Sequence, residues 1–118
     1  MSLKIKARLE PVPFARVRTQ NGRHFFNPER YRAFKEELGW QARLTIKEPL
    51  AGAVAIRLKV YRQLPPWSLK FGDVDNHLKA VLDSLNGIAF LDDRQVVEAH
   101  VSLHRGEPRL EIELEELR

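Results

Sequence analysis

A strand-helix-strand unit in the second half of the chain limits the folds open to it. Val54, Ile56, Leu58 and Val60 alternate with Ala53, Ala55, Arg57, Lys59 and Tyr61, which is the period of a strand with one buried face. After a proline-containing loop, Leu78, Val81, Leu82 and Leu85 recur at i, i+3, i+4 and i+7, the period of an amphipathic helix. Val97, Ala99, Val101 and Leu103 then return to alternation. A helix between two such strands permits a parallel pair, so a mixed sheet is expected.

The flanking segments fill in the sheet. Leu3, Ile5, Ala7 and Leu9 alternate with charged residues, and Pro11-Val12-Pro13 ends that run, since proline donates nothing to a ladder. Asn21-Gly22 between Arg16-Val17-Arg18 and Arg23-His24-Phe25-Phe26 signals a hairpin. Asn27-Pro28-Glu29 opens a helix, with Asn as N-cap and proline in the first turn. Tyr31, Phe34, Leu38 and Ala42 trace its core stripe, joined by Trp40 and Leu44, and the helix should end before Glu48-Pro49. Leu110, Ile112 and Leu114 form a last strand, expected to pair as an antiparallel hairpin with the strand before it. The expectation is an α+β fold over residues 1–118 as a single domain. It has a small mixed sheet of about four strands, two main helices and a hairpin extension, with the strand order left open.

Composition removes several function classes. The chain has no cysteine, so disulfides and thiolate metal sites are excluded, which fits a reducing, cytoplasmic setting. It has no apolar run long enough for a bilayer. Residues 1–50 hold 11 Lys and Arg against 5 Asp and Glu, a basic balance that suits phosphate contact. His100 and His104 lie four residues apart on a strand, about 13 Å, too far to chelate one ion together.

The acidic residues around the second helix carry the chemistry. Asp73 and Asp75 stand at its start, Lys79 and Asp83 follow Asp75 at steps of four, and Asp92-Asp93 come after the Asn86-Gly87 stop. Asp75 suits an N-cap, and Asp73 sits just outside. The run Ile88-Ala89-Phe90-Leu91 reads as a short buried return that brings Asp92 and Asp93 back toward Asp73. Carboxylates that converge repel unless a cation compensates, and hard oxygens suit Mg²⁺. The same acids also serve as a cap, a Lys79 partner and an exposed turn, so spacing leaves both readings open. Trp67 and Phe71, in the loop before the helix, suit either base stacking or core packing.

The runs D-V-D-N-H-L-K, L-D-S-L-N-G and L-D-D-R-Q-V, from Asp73 to Val96, resemble the RusA family of Holliday junction resolvases. The segment Pro11 to Arg18 is similar to the N-terminal pattern of that family. The resemblance implies Mg²⁺-dependent hydrolysis of DNA at four-way junctions in recombination and repair, by a homodimer. It implies that Asp73, Asp75 and Asp93 hold the metal, with Asp92 as the competing member of its pair, and that Lys79 is the essential basic residue. Asp83 matches another acidic position, and His77 departs from the commoner leucine. Arg16, Arg18, Arg23 and Lys79 are the expected DNA contacts. A non-catalytic branched-DNA binder, or a Mg²⁺-dependent nuclease for flaps and other branches, are the alternative functions.

Overall fold

A computed structural model describes residues 2–15, 19–20, 23–24, 28–65, 68–69 and 72–117, with backbone only for 19–20 and 23–24. Arg16, Arg18, the Asn21-Gly22 turn, Asn27, Trp67 and Phe71 lie outside the described residues, as does the Arg23 side chain. The fold is α+β. Strands β1 (Ser2–Ala7), β4 (Val54–Arg62), β5 (Val96–Arg105) and β6 (Arg109–Glu116) form one sheet. Helices α1 (Pro28–Thr45) and α2 (Val74–Leu85) supply the second layer. The short strands β2 (Thr19–Gln20) and β3 (Arg23–His24) pair antiparallel. Among the described residues no helix is long and apolar enough to cross a membrane.

The sheet is mixed, with order β1-β6-β4-β5. β4 and β5 run parallel, Leu58 opposite Val101, which bears out the crossover through α2. The expected β5–β6 hairpin does not form. β6 instead inserts between β1 and β4 and pairs antiparallel with both. The burial explains the choice. Leu110, Ile112 and Leu114 are all buried, as a central strand requires. On β5, Val97 is 61% exposed and Ala99 is exposed, because an edge strand is covered on fewer sides. Alternation alone is the same in both strands.

The core lies between the sheet and the two helices. Ile56, Leu58, Val60, Ile112 and Leu114 face Leu38, Ala42, Val81, Leu85 and the fully buried Phe90. The other sheet face is open and polar, with Lys4 opposite Glu113 and Lys6 opposite Glu111, and the same two glutamates opposite Arg57 and Lys59 of β4. Alternating signs across neighbouring strands stabilise such a face modestly.

Helix α1 begins at Pro28 and ends at Thr45, before Glu48-Pro49 as expected. Tyr31, Phe34, Leu38 and Ala42 are buried. Trp40 and Leu44 are not part of that stripe, being 66% and 78% exposed. At 100° per residue, both fall on the far side of the helix from Leu38 and Ala42. Gly39 is buried in their place. A Cβ there would lie 3.2 Å from Ile88 Cδ1, so the glycine lets α1 close onto the turn after α2.

Candidate active site

Helix α2 begins just after a glycine that nothing else can replace without strain. Gly72 has φ +87°, and a Cβ on it would stand 3.0 Å from Pro13 Cγ and 3.2 Å from His77 Nε2. Left-handed backbone of this kind favours glycine. The N-cap is Asp73, not Asp75 as expected, with φ −75° and ψ 145°. The helix starts earlier than expected because the backbone carbonyl of Asp73 accepts from His77 N–H at 3.1 Å. The Asp73 side chain makes no capping bond. Asp75 falls in the first turn, and both carboxylates face solvent. Neither is bonded to a described side chain. His77 is only 2% exposed, so the departure from leucine is accommodated on the buried side of the helix.

The segment before β2 is fastened to this helix start. Phe14 N–H donates to Asn76 O at 3.0 Å, and the Phe14 ring lies 4.9 Å from Lys79 Nζ. Lys79 also pairs with Asp83 at 3.7 Å. Asp83 Oδ2 in turn accepts from the Tyr31 hydroxyl at 2.8 Å, and the Tyr31 and Phe14 rings meet edge to face at 5.8 Å. Lys79 is thus held by an aromatic face and a carboxylate while half of its side chain remains in solvent. Burial pushes the Tyr31 phenol well above its usual pKa, and the Asp83 hydrogen bond and charge push in the same direction. Tyr31 therefore stays a hydrogen-bond donor at neutral pH.

Asp92 and Asp93 do not reach the start of α2. Ala89 and Phe90 are buried as expected of the return, but Leu91 is 71% exposed. The Asp92 carboxylate caps a 3-10 turn, Asp93–Gln95, accepting from Arg94 N–H at 2.8 Å and from its guanidinium at 3.2 Å. These contacts, the backbone N–H first, hold its carboxyl below the usual range. Gln95 anchors the turn beside the start of β4, donating to Leu50 O at 2.8 Å and Gly52 O at 2.9 Å. Because β4 and β5 are parallel, α2 runs back along the sheet. Asp73 and Asp75 stand at one end of α2, and Asp92 and Asp93 follow its other end. Twelve helical residues span about 18 Å. Consistent with that separation, no group of three or more His, Asp or Glu among the described residues is arranged to hold a metal.

Phe14, Tyr31 and Gln95 help to build the site, and the sequence reading misses all three. Gln95 carries a visible signal, since Asp92 followed three positions later by glutamine is a capping-box pattern, and both of its reciprocal bonds form. Tyr31 reads as core only, because its hydroxyl partner lies 52 residues away.

The comparisons with known proteins agree with one another on the extent of the match. The family model for the endodeoxyribonuclease RusA matches residues 9–115. The uncharacterized protein YqaN of Bacillus subtilis (strain 168) is 32% identical over 132 aligned positions, which cover 92% of this chain and 92% of that one.

Proposed function

The chain belongs to the RusA endodeoxyribonuclease family, and from that premise we propose a Mg²⁺-dependent endonuclease that cuts four-way DNA junctions as a cytoplasmic homodimer, in recombination and repair. The observation that carries the reading is the start of α2, where solvent-facing Asp73 and Asp75 lie within two turns of Lys79. Their donor set fits the ion: Mg²⁺ is commonly held by one or two carboxylates, with waters and substrate phosphates completing the shell. A bound Mg²⁺ supplies an activated water, a polarised phosphoryl oxygen and stabilisation of the leaving 3′ oxygen.

The chain's own residues divide the remaining work. Asp73 and Asp75 hold their oxygens toward solvent, where a phosphodiester can approach. Lys79, steadied by Phe14 and by the Tyr31-bonded Asp83, presents an ammonium to the charge that develops on phosphate. Arg16, Arg18 and Arg23, which follow Phe14 in the sequence, neutralise the DNA backbone. Asp93 is the third carboxylate of this reading, and one chain keeps it at the other end of α2. A two-fold dimer resolves that separation, because its two copies run in opposite directions about the axis. The Asp93 end of one copy can then meet the Asp73 end of the other. Two such meeting points also match a junction that needs two symmetric cuts.

The test is cleavage of a four-way junction, a flap and a linear duplex, each with Mg²⁺ and with EDTA. Junction cleavage in Mg²⁺ alone supports the reading. Preference for the flap assigns a different branched substrate, and binding without cleavage in either condition overturns the catalytic role.

A further inference from the structure

The exposed side of α1 has no part in the core and no part in the site just described. Trp40 and Leu44, 66% and 78% exposed, sit there, and the Arg43 guanidinium lies 5.5 Å from the Trp40 ring centre. Beside them a groove of about 320 Å³ runs between α1 and the end of α2, lined among others by Arg32, Lys35, Trp40, Arg43 and Asp83. Arg32, Glu36, Gly39 and Arg43 step along one stripe of the helix at intervals of four, three and four, so the cations share a face rather than being scattered.

We propose that this groove is a second DNA-contact surface, in which Arg32, Lys35 and Arg43 take the phosphates of one junction arm and Trp40 stacks on a base whose face is exposed at the branch point. The proposal rests on the nuclease reading above and extends it. Three features favour DNA over another protein. The first is the charge of the groove, in which three cations oppose Glu36 and an Asp83 already engaged by the Tyr31 hydroxyl and Lys79. The second is continuity. Asp83 lines the groove and pairs with Lys79, and the Lys35 ammonium lies 5.0 Å over the Tyr31 ring. A strand leaving Lys79 therefore reaches the groove past Asp83, an acid whose charge Lys79 already offsets. The third is the Arg43–Trp40 pair, an exposed ring with a guanidinium 5.5 Å from its centre, which puts a base-stacking group beside a phosphate-binding one.

The measurement is binding of a synthetic four-way junction in EDTA, so that nothing is cut. Trp40→Ala should weaken binding about tenfold or more, the range set by removing one base–aromatic stack. Arg32→Glu combined with Arg43→Glu should weaken it further and lower the salt slope by about two, one unit for each phosphate no longer neutralised. Arg57→Glu on the open sheet face carries a charge change without the groove, and should alter affinity less. In a Trp67→Phe background Trp40 is the one remaining tryptophan of two, and its emission should be quenched on junction binding. A parent that binds while all groove variants bind equally, with unchanged Trp40 emission, overturns this surface alone. A parent that binds no branched DNA overturns the nuclease reading and this surface with it. Loss of the dimer in Trp40→Ala, seen by sedimentation, reassigns the face to contact between copies and overturns the proposal.

Discussion

Removing one oxygen, in Tyr31→Phe, tests how Lys79 is held. The hydroxyl donates to Asp83 at 2.8 Å from a residue that is 5% exposed. A hydrogen bond to a charged group contributes about 1.5–3 kcal/mol. The Asp83 side chain keeps 27% exposure, so water recovers part of that, and a loss of about 1–2 kcal/mol is expected at neutral pH. The pH dependence is a sharper signature. The folded phenol has its pKa raised, so its contribution is complete below the unfolded value of about 10 and is lost as pH rises above it. Each pH unit in that window costs the wild type about 1.4 kcal/mol from this group. Urea unfolding at pH 8, 10 and 11 is the assay, with Tyr31→Phe lacking this part of the alkaline decline. Junction cleavage by the same variant should fall with little change in junction affinity, because Asp83 then positions Lys79 less firmly. Parallel stability curves for the two proteins from pH 8 to 11 would refute the reasoning.

Further outcomes follow from the site and from the hairpin beside it in sequence. Asp73→Asn, Asp75→Asn and Asp93→Asn should each abolish junction cleavage while binding survives in gel-shift assays. Asp92→Asn should lose less activity and keep its turn, since asparagine caps about as well as aspartate. Lys79→Ala should depress the cleavage rate strongly and keep its circular dichroism spectrum, because the side chain lies outside the core and leaves no cavity. Charge reversal at Arg16, Arg18 or Arg23 should weaken junction binding and flatten its salt dependence, and an unchanged slope in all three would remove the hairpin from the DNA surface.

The parts of the fold legible in sequence are those set by local period. The alternation at Val54–Val60 and the helical spacing at Leu78–Leu85 point to β4, α2 and the parallel crossover. The neighbour of β6 is not legible, because Leu110, Ile112 and Leu114 alternate in the same way whichever strand lies beside them. Trp40 and Leu44 mislead as apolar residues near a core stripe, when helical phase sends them outward. At the site, residue identity points to Asp73, Asp75, Lys79 and the Asp92-Asp93 pair, while Tyr31 and Phe14 are hidden because their contacts join distant segments. The expectation that the acids gather at one helix start fails for a topological reason. A parallel crossover carries the chain the full length of α2 before Asp92.

The central claim is that acids from opposite ends of α2 form one cutting site only when two copies associate. Co-expression of an Asp73→Asn/Asp75→Asn chain with an Asp93→Asn chain, each inactive alone, tests it directly. In the mixed dimer one meeting point holds all three native carboxylates, and the other holds none. The account predicts that the mixture regains nicking of one strand of a four-way junction in Mg²⁺, without paired cuts. A mixture in which mixed dimers form and the junction stays intact would contradict it.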